Sequence, residues 1–303
     1  MEKSLEISPI PPFSLKYTVW ALKRSVANEV DSFKREVFSR IELIDGKAVL
    51  LEVTQKGSNE EPKLFVRALS KEPVEELEVK VEKRVQKLLG VYVELSRFYD
   101  LVKGDEQVFP LVRKFMGLKP PRFSTLFEAL VNAVACQQVS LEVGLTLLSR
   151  LSRRFGKSFD GSSSHSFADP SRIVSAPISS IRELGFSFRK SVVIRELASF
   201  YLKGELDDES FEKMGNEQAF KALDAIPGIG RWSAEYALLR GLGRLEVFPA
   251  DDVGAAKNLG SWLGTERKLS YEEVNKLTSK WGSYRGMIYF HLLLKKLSEE
   301  GVV

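Results

Sequence analysis

Residues 223–236 read Leu-Asp-Ala-Ile-Pro-Gly-Ile-Gly-Arg-Trp-Ser-Ala-Glu-Tyr, and this stretch concentrates the residues that could do chemistry. An apolar helix end runs into Pro227-Gly228-Ile229-Gly230, and a second helix starts at once. Two glycines around one apolar residue allow a tight turn with exposed N–H groups. The unpaired N–H groups and positive dipole end of the second helix point the same way, so the turn can hold a phosphate without any side chain. Ile229 then plugs the turn into the core. Taken alone, such a run reads first as a plain helix–helix turn. Trp232 and Tyr236 stand four apart, on one side of the second helix. In isolation that pair is core packing; beside an anion-binding turn and an acid it becomes a pocket wall. Two acids are at hand, Asp251 and Asp252, at the end of Val247-Phe248-Pro249-Ala250-Asp251-Asp252. Either also fits as the N-cap of a helix over 254–259, a role compatible with catalysis.

Elements must hold these groups in place. The first third reads as mixed α/β. Residues 35–43 alternate, Asp45-Gly46 is a hairpin signal, and 48–54 resume as strand, with a third strand over 64–69. Residues 75–99 are rich in helix formers, with Leu77, Val81, Val85, Leu88 and Leu89 at helical spacing. Gly117-Leu118-Lys119-Pro120-Pro121 is a stiff break, which divides the chain into an α/β unit over 1–117 and a helical unit over 118–303. In the second unit Thr125 and Glu128 fit a capping box. Phe127, Leu130, Val131 and Val134 mark one buried face, and Val143, Leu147, Leu148, Leu151 and Phe155 a second, stopped by Gly156. Residues 160–166 form a polar loop, and Asp169-Pro170 starts a further helix. The fold class is α+β.

Composition narrows the classes. The chain has 303 residues, 44% hydrophobic and 28% charged, which is a globular balance and not that of a disordered chain. No run is long and apolar enough to span a membrane, and the start lacks a signal-peptide pattern. One cysteine, Cys136, supports neither an internal disulfide nor an iron–sulfur cluster, and two histidines, His165 and His291, make a His-based metal site unpromising. A net charge of +4 permits a polyanionic partner.

The 223–236 segment resembles the helix–hairpin–helix DNA glycosylase superfamily, whose mark is L-x-x-[ILF]-P-G-[IV]-G with an aspartate following; here Leu223, Ile226, Pro227, Gly228, Ile229 and Gly230 fill the hairpin. Within that superfamily it is similar to the AlkA-like 3-methyladenine DNA glycosylase II group. Gly228 to Tyr236 match that group's G-I-G-R-W-[ST]-A-x-Y, the run Ala-Cys-Gln-Gln-Val-Ser ending at Ser140 is similar to its Q-[QL]-[VIL]-S, and Trp281 to Arg285 look like its W-x-x-[WY]-R. The resemblance is specific from 120 to 290 and implies a TBP-like N-terminal domain ahead of a helical one.

The resemblance implies monofunctional excision of alkylated bases from duplex DNA in base excision repair, leaving an abasic site. Aligned on the family pattern, Asp252 is the catalytic acid. A carboxylate beside C1′ stabilises the oxocarbenium-like sugar and can orient water. Trp232, Tyr236, Tyr284 and Phe13 are the expected base pocket, although Phe13 also reads as an interdomain anchor. Electron-rich faces attract a base made cationic by alkylation, and no histidine near the motif offers itself as a general acid. Gly228, Ile229, Gly230, Ser233, Gln138, Lys257 and Arg285 are the expected DNA contacts. Gln138 holds the position of the wedge that fills the gap left by the flipped base, and equally reads as a solvent-facing helix end. Strand-cleaving relatives carry a lysine where this chain has Trp232, so no lyase step is expected. No cofactor is expected beyond a Na⁺ or K⁺ on the carbonyls of Asp224, Ile226 and Ile229. The expected form is a monomer acting on duplex DNA, away from membranes, in the nucleoid of a prokaryotic cytoplasm or in a nucleus. Excision of 8-oxoguanine or hypoxanthine, and a non-catalytic hairpin DNA-binding module, stand as alternatives.

Overall fold

The computed structural model describes residues 1–159, 164–265 and 267–303. Five antiparallel strands open the chain: β1 (Glu2–Ile7), β2 (Ser32–Lys34), β3 (Val37–Ile44), β4 (Lys47–Lys56) and β5 (Lys63–Ser70), in the spatial order β1-β5-β4-β3-β2. Two tight turns set the register. Arg35-Glu36 and Asp45-Gly46 have positive φ at both positions, the geometry whose twist matches a right-handed strand pair. Val49, Leu51 and Val53 of β4 and Leu64, Val66 and Ala68 of β5 are buried, so one face of the sheet turns inward.

α1 (Leu15–Lys23) lies between β1 and β2; it is capped by the Ser14 hydroxyl, which accepts the Tyr17 N–H, and ends at Arg24 with φ +66°. α2 (Leu77–Leu89) buries Leu77, Val81, Val85, Leu88 and Leu89, the five residues expected from their spacing, and stops at Gly90. The single helical tract expected over 75–99 is therefore two elements, with α3 starting later. β1, α1 and β2 are additions to the three strands and one helix read from the sequence.

α3 (Ser96–Val102) and α4 (Val108–Lys114) follow, then a helical series: α5 (Leu126–Cys136), α6 (Leu141–Phe155), α7 (Pro170–Ser175), α8 (Ile178–Arg182), α9 (Phe188–Leu202), α10 (Asp208–Lys213), α11 (Asn216–Asp224), α12 (Arg231–Arg240), α13 (Val253–Trp262), α14 (Tyr271–Thr278) and α15 (Arg285–Glu299). Two apolar cores hold them. One joins the inner face of the sheet and α2 to α5, α6, α9, α11 and α12. The other joins Leu95, Phe98, Val108 and Val112 of the α3–α4 region to Phe248, Leu259, Trp281 and Phe290. Thus α3 and α4 lie before Pro120-Pro121 in sequence but pack with the C-terminal helices.

Local caps follow the sequence closely, with two corrections. Thr125 caps α5 by accepting the Glu128 N–H at 3.0 Å, but the Glu128 carboxylate does not reach back. It accepts from Arg40 Nη2 at 2.6 Å, in a buried cluster where Arg40 also meets Asp31 and Glu42. A buried guanidinium demands carboxylates more strongly than a cap demands reciprocity. Gly156 does end α6, though with an extended backbone; a Cβ there would lie 2.2 Å from the Ser166 carbonyl, so close approach selects glycine. Asp169 caps α7 with Pro170 at its first position, as expected. Of the polar loop expected over 160–166, residues 160–163 lie outside the described residues, and Ser158 pairs with His165 across it.

Candidate active site

The hairpin between α11 and α12 is built from glycines for two different reasons. Gly228 has φ +87°, and a Cβ there would meet Val193 Cγ2 at 2.4 Å. Gly230 has an ordinary extended backbone (φ −112°) and open space where a Cβ would go. It is the N-cap of α12, and among the described residues no side chain caps that helix. The first-turn N–H groups of α12 therefore keep their capacity for an external anion. Ile229 is buried and anchors the turn, as its type suggested.

The end of α5 is tied to this hairpin. Gln137 Nε2 donates to the Gly228 carbonyl and to Ser233 Oγ, each at 3.0 Å. Lys190 Nζ donates to the carbonyls of Ala135 (3.0 Å) and Gln137 (2.7 Å), which satisfies groups the end of α5 leaves open. Burial holds the Lys190 ammonium below its usual pKa. Gln138 comes next, exposed, with φ +56°. A left-handed conformation is uncommon outside glycine, and here it sits on the rim of a cleft.

Asp252 joins three helices. Its Oδ1 accepts the Ala255 N–H at 2.8 Å and caps α13; its Oδ2 accepts from Trp232 Nε1 at 3.1 Å and lies 3.5 Å from the Tyr289 hydroxyl of α15. The Trp232 and Tyr236 rings lie 5.5 Å apart at 37°. The Tyr236 hydroxyl accepts from Arg24 Nη1 at 2.6 Å, and Arg24 Nη2 donates to Asn132 Oδ1 at 2.5 Å. Burial raises the pKa of both the Tyr236 and Tyr289 phenols, so both stay protonated at neutral pH. A cleft of about 990 Å³ opens onto Arg24, Gln138, Trp232, Tyr236, Asp252 and Tyr289. That is ample for one flat heterocycle and its sugar. A second cavity of about 750 Å³, between β3, α2 and α5, contains none of these residues.

The structure brings Asp252, Trp232, Tyr236, Gln138, Gly228, Ile229 and Gly230 together and parts the rest. Asp251 is exposed on the cleft rim, 3.9 Å from Arg231. Phe13 is not a pocket residue: it is fully buried in the core beneath the sheet, its carbonyl accepting from Gln55 Nε2. Tyr284 packs 5.8 Å from Phe98 in the second core, away from the cleft. The Ser233 side chain is buried and its hydroxyl accepts from Gln137, so that side chain is not an exposed DNA contact. Arg285 donates to the Glu246 carbonyl and to Asn275 Oδ1, where it ties α15 to its neighbours. Lys257 is exposed on α13 and does not line the cleft.

Sequence reasoning misses Tyr289, Arg24, Gln137 and Lys190. Tyr289 sits in a nearly continuous apolar run from Met287 to Leu294, where helical periodicity singles out no face. Arg24 offered one local signal: it follows a helix that Ser14 and the spacing of Leu15, Val19 and Leu22 announce. Gln137 adjoins the residue that the motif picks out, and nothing in its type marks it as the tether.

A model of the HhH-GPD superfamily of base excision DNA repair proteins matches residues 131–283. The chain is 30% identical to the DNA-3-methyladenine glycosylase of Bacillus subtilis over 201 residues, 66% of each chain. It is 27% identical to DNA-3-methyladenine glycosylase 2 of Escherichia coli over 203 residues, 65% of this chain and 69% of that one. Among solved structures, a 3-methyladenine DNA-glycosylase from Archaeoglobus fulgidus superposes with a TM-score of 0.83 at 26% identity, covering 99% of this chain and 100% of the other.

Proposed function

This chain belongs to the HhH-GPD superfamily of base excision DNA repair proteins, and from that premise we propose that it is a monofunctional DNA glycosylase for alkylated bases. The observation that carries the reading is a carboxylate, Asp252, held by an N-cap bond and an indole N–H inside a cleft walled by Trp232, Tyr236 and Tyr289. Duplex DNA docks a phosphate on the open N–H groups of α12 at Gly230. The carbonyls of Asp224 and Ile226, at and just after the end of α11, and of Ile229 would be the ligands of a monovalent cation, which would add positive charge there. The Ile226 oxygen already accepts the Ile229 N–H and keeps a second lone pair. The lesion leaves the stack and enters the cleft, where contact with aromatic faces offsets the cost of unstacking. Gln138 fills the space behind it.

A base alkylated at a ring nitrogen is cationic. The Trp232 face contributes about 0.5–2 kcal/mol to holding it. As the N-glycosidic bond lengthens, positive charge moves to the sugar, and Asp252 stabilises it and directs water to C1′. Trp232 occupies the place where a lyase has an amine, so the product is an intact abasic strand. One chain supplies all of these groups, and a monomer is the acting form. A module that binds DNA through the hairpin alone has no use for a capped carboxylate in an aromatic cleft.

The test is a methylated duplex incubated with the protein, with borohydride added in parallel. Free 3-methyladenine and strands that break only on alkali or heat are the expected products. DNA binding without base release refutes glycosylase action, and a covalent protein–DNA adduct refutes the monofunctional assignment.

A further inference from the structure

Arg24 and Arg40 are both buried, yet they are satisfied in opposite ways. Arg40 meets three carboxylates, Asp31, Glu42 and Glu128. Arg24, 4% exposed, is in salt-bridge contact with no carboxylate among the described residues; it meets a phenol and an amide, and its Nε has no partner. Burying a guanidinium without an anion is costly, so a role beyond packing is worth seeking. The left-handed turn at the end of α1 delivers it to the cleft. Asn132 is oriented to receive it, since its own amide donates to the Glu128 carbonyl at 3.0 Å. A third buried guanidinium, Arg240, lies over the Tyr236 ring at 5.8 Å.

The Tyr236 hydroxyl accepts from Arg24, and no acceptor for its own hydrogen is found among the described residues. A phenol that accepts from a cation becomes a better donor. Both residues, though almost wholly buried, line the cleft that holds Asp252, which sets the Tyr236 side chain beside the space a flipped base would occupy.

We propose that Arg24, acting through the Tyr236 hydroxyl, is a positioning residue that extends base release to neutral bases by stabilising the negative charge they acquire on leaving. The inference rests on the base-release reading above. When the C1′–N bond breaks, its electron pair stays with the base. A cationic base departs neutral and needs no help. A neutral base departs as an anion, takes a hydrogen bond from Tyr236, and collects its proton from water afterwards. Water adds its oxygen to C1′ and gives its proton to Asp252 or to solvent. Asp252 serves the sugar in both cases, whereas the Arg24–Tyr236 pair serves only the leaving base.

The experiment compares single-turnover release from two duplexes, one carrying cationic 7-methylguanine and one carrying neutral hypoxanthine, by wild type, Tyr236→Phe, Arg24→Gln and Arg24→Lys. Tyr236→Phe keeps the ring and removes only the hydroxyl, so it stays informative if the Arg24 variants fold poorly. The ratio of hypoxanthine release to 7-methylguanine release should fall about tenfold or more in Tyr236→Phe and Arg24→Gln, whatever loss the two lesions share. Arg24→Lys, which restores a cation, should recover part of the loss. Equal losses on both lesions, or a wild type that releases 7-methylguanine but no hypoxanthine, overturn the inference and leave the glycosylase reading intact. A wild type that releases neither overturns both.

Discussion

Asp252→Asn separates chemistry from folding at a single atom. The N-cap bond to the Ala255 N–H survives, because the amide oxygen takes over from Oδ1 and asparagine caps as well as aspartate. The other oxygen becomes an NH₂ group facing the Trp232 indole N–H, now 3.1 Å from a donor in place of an acceptor. One lost hydrogen bond in a half-buried site costs about 1 kcal/mol. In a chain of this size that lowers the unfolding midpoint by roughly 2–4 °C. The catalytic loss is larger. A unit charge about 4 Å from the developing oxocarbenium interacts by about 4 kcal/mol at an effective dielectric of about 20. Losing it slows base release by about 10³-fold. The assay is single-turnover release from methylated duplex at pH 7, alongside thermal melting and DNA binding by anisotropy. Binding should stay within about threefold, because the amide is no bulkier than the carboxylate and the hairpin is untouched. Asp251 is exposed and meets only a distant Arg231, so Asp251→Asn should behave as wild type. Release within about tenfold of wild type in a well-folded Asp252→Asn would refute the charge argument. A dead Asp251→Asn beside an active Asp252→Asn would show that the neighbouring acid is the catalytic one.

The two hairpin glycines should fail differently. The Cβ of Gly230→Val has no protein atom within 4 Å and the position needs no unusual φ, so its melting should be little changed while DNA affinity drops equally for all sequences; a sequence-selective loss would contradict a phosphate contact. Gly228→Ala adds a 2.4 Å contact with Val193 to a φ of +87° and should destabilise by about 1–3 kcal/mol, read by denaturant unfolding. Trp232→Ala should slow release of 3-methyladenine more than of neutral hypoxanthine, and equal slowing would reduce the indole to shape-filling. His291 is buried, its Nδ1 2.8 Å from the Met287 carbonyl, and burial lowers its pKa to about 4. Unfolded, it takes up its proton near pH 6.5. Its contribution is therefore complete above pH 6.5 and is lost as pH falls from 6.5 to 4, by about 3 kcal/mol. His291→Phe should lose less stability than wild type between pH 7 and 4.5; parallel curves would place the acid sensitivity elsewhere.

What was legible in advance depends on short-range causes. The Asp45-Gly46 hairpin, the Thr125 and Asp169 caps, the buried stripe of α2, and Asp252 as a cap that can also be catalytic are each decided by residues within a few positions of one another. Hydrogen bonds to the next turn, side-chain spacing and the sterics of glycine and proline need no tertiary partner, so residue type and order determine them. The hairpin motif is legible for the same reason: its anion site is made of backbone N–H groups, and only glycine spacing is required to expose them.

The assembled cleft has other causes. Arg24 reaches Tyr236 across 212 residues of sequence, and Tyr289 approaches Asp252 across 37. Phe13, Tyr284 and Arg285 have residue types that suit a pocket or a phosphate, yet Phe13 belongs to the core beneath the sheet, Tyr284 to the α3–α15 core, and Arg285 to carbonyl and amide partners nearby. An aromatic or cationic side chain gains about as much from a core or a local acceptor as from a ligand, so its type alone does not choose between them. The choice is made by which faces are left unfilled once two apolar cores have closed. From its sequence alone this protein determines its turns, its caps and a carboxylate placed at a helix start; the tertiary packing decides that Tyr289 and Arg24, and neither Phe13 nor Tyr284, complete the cleft around it.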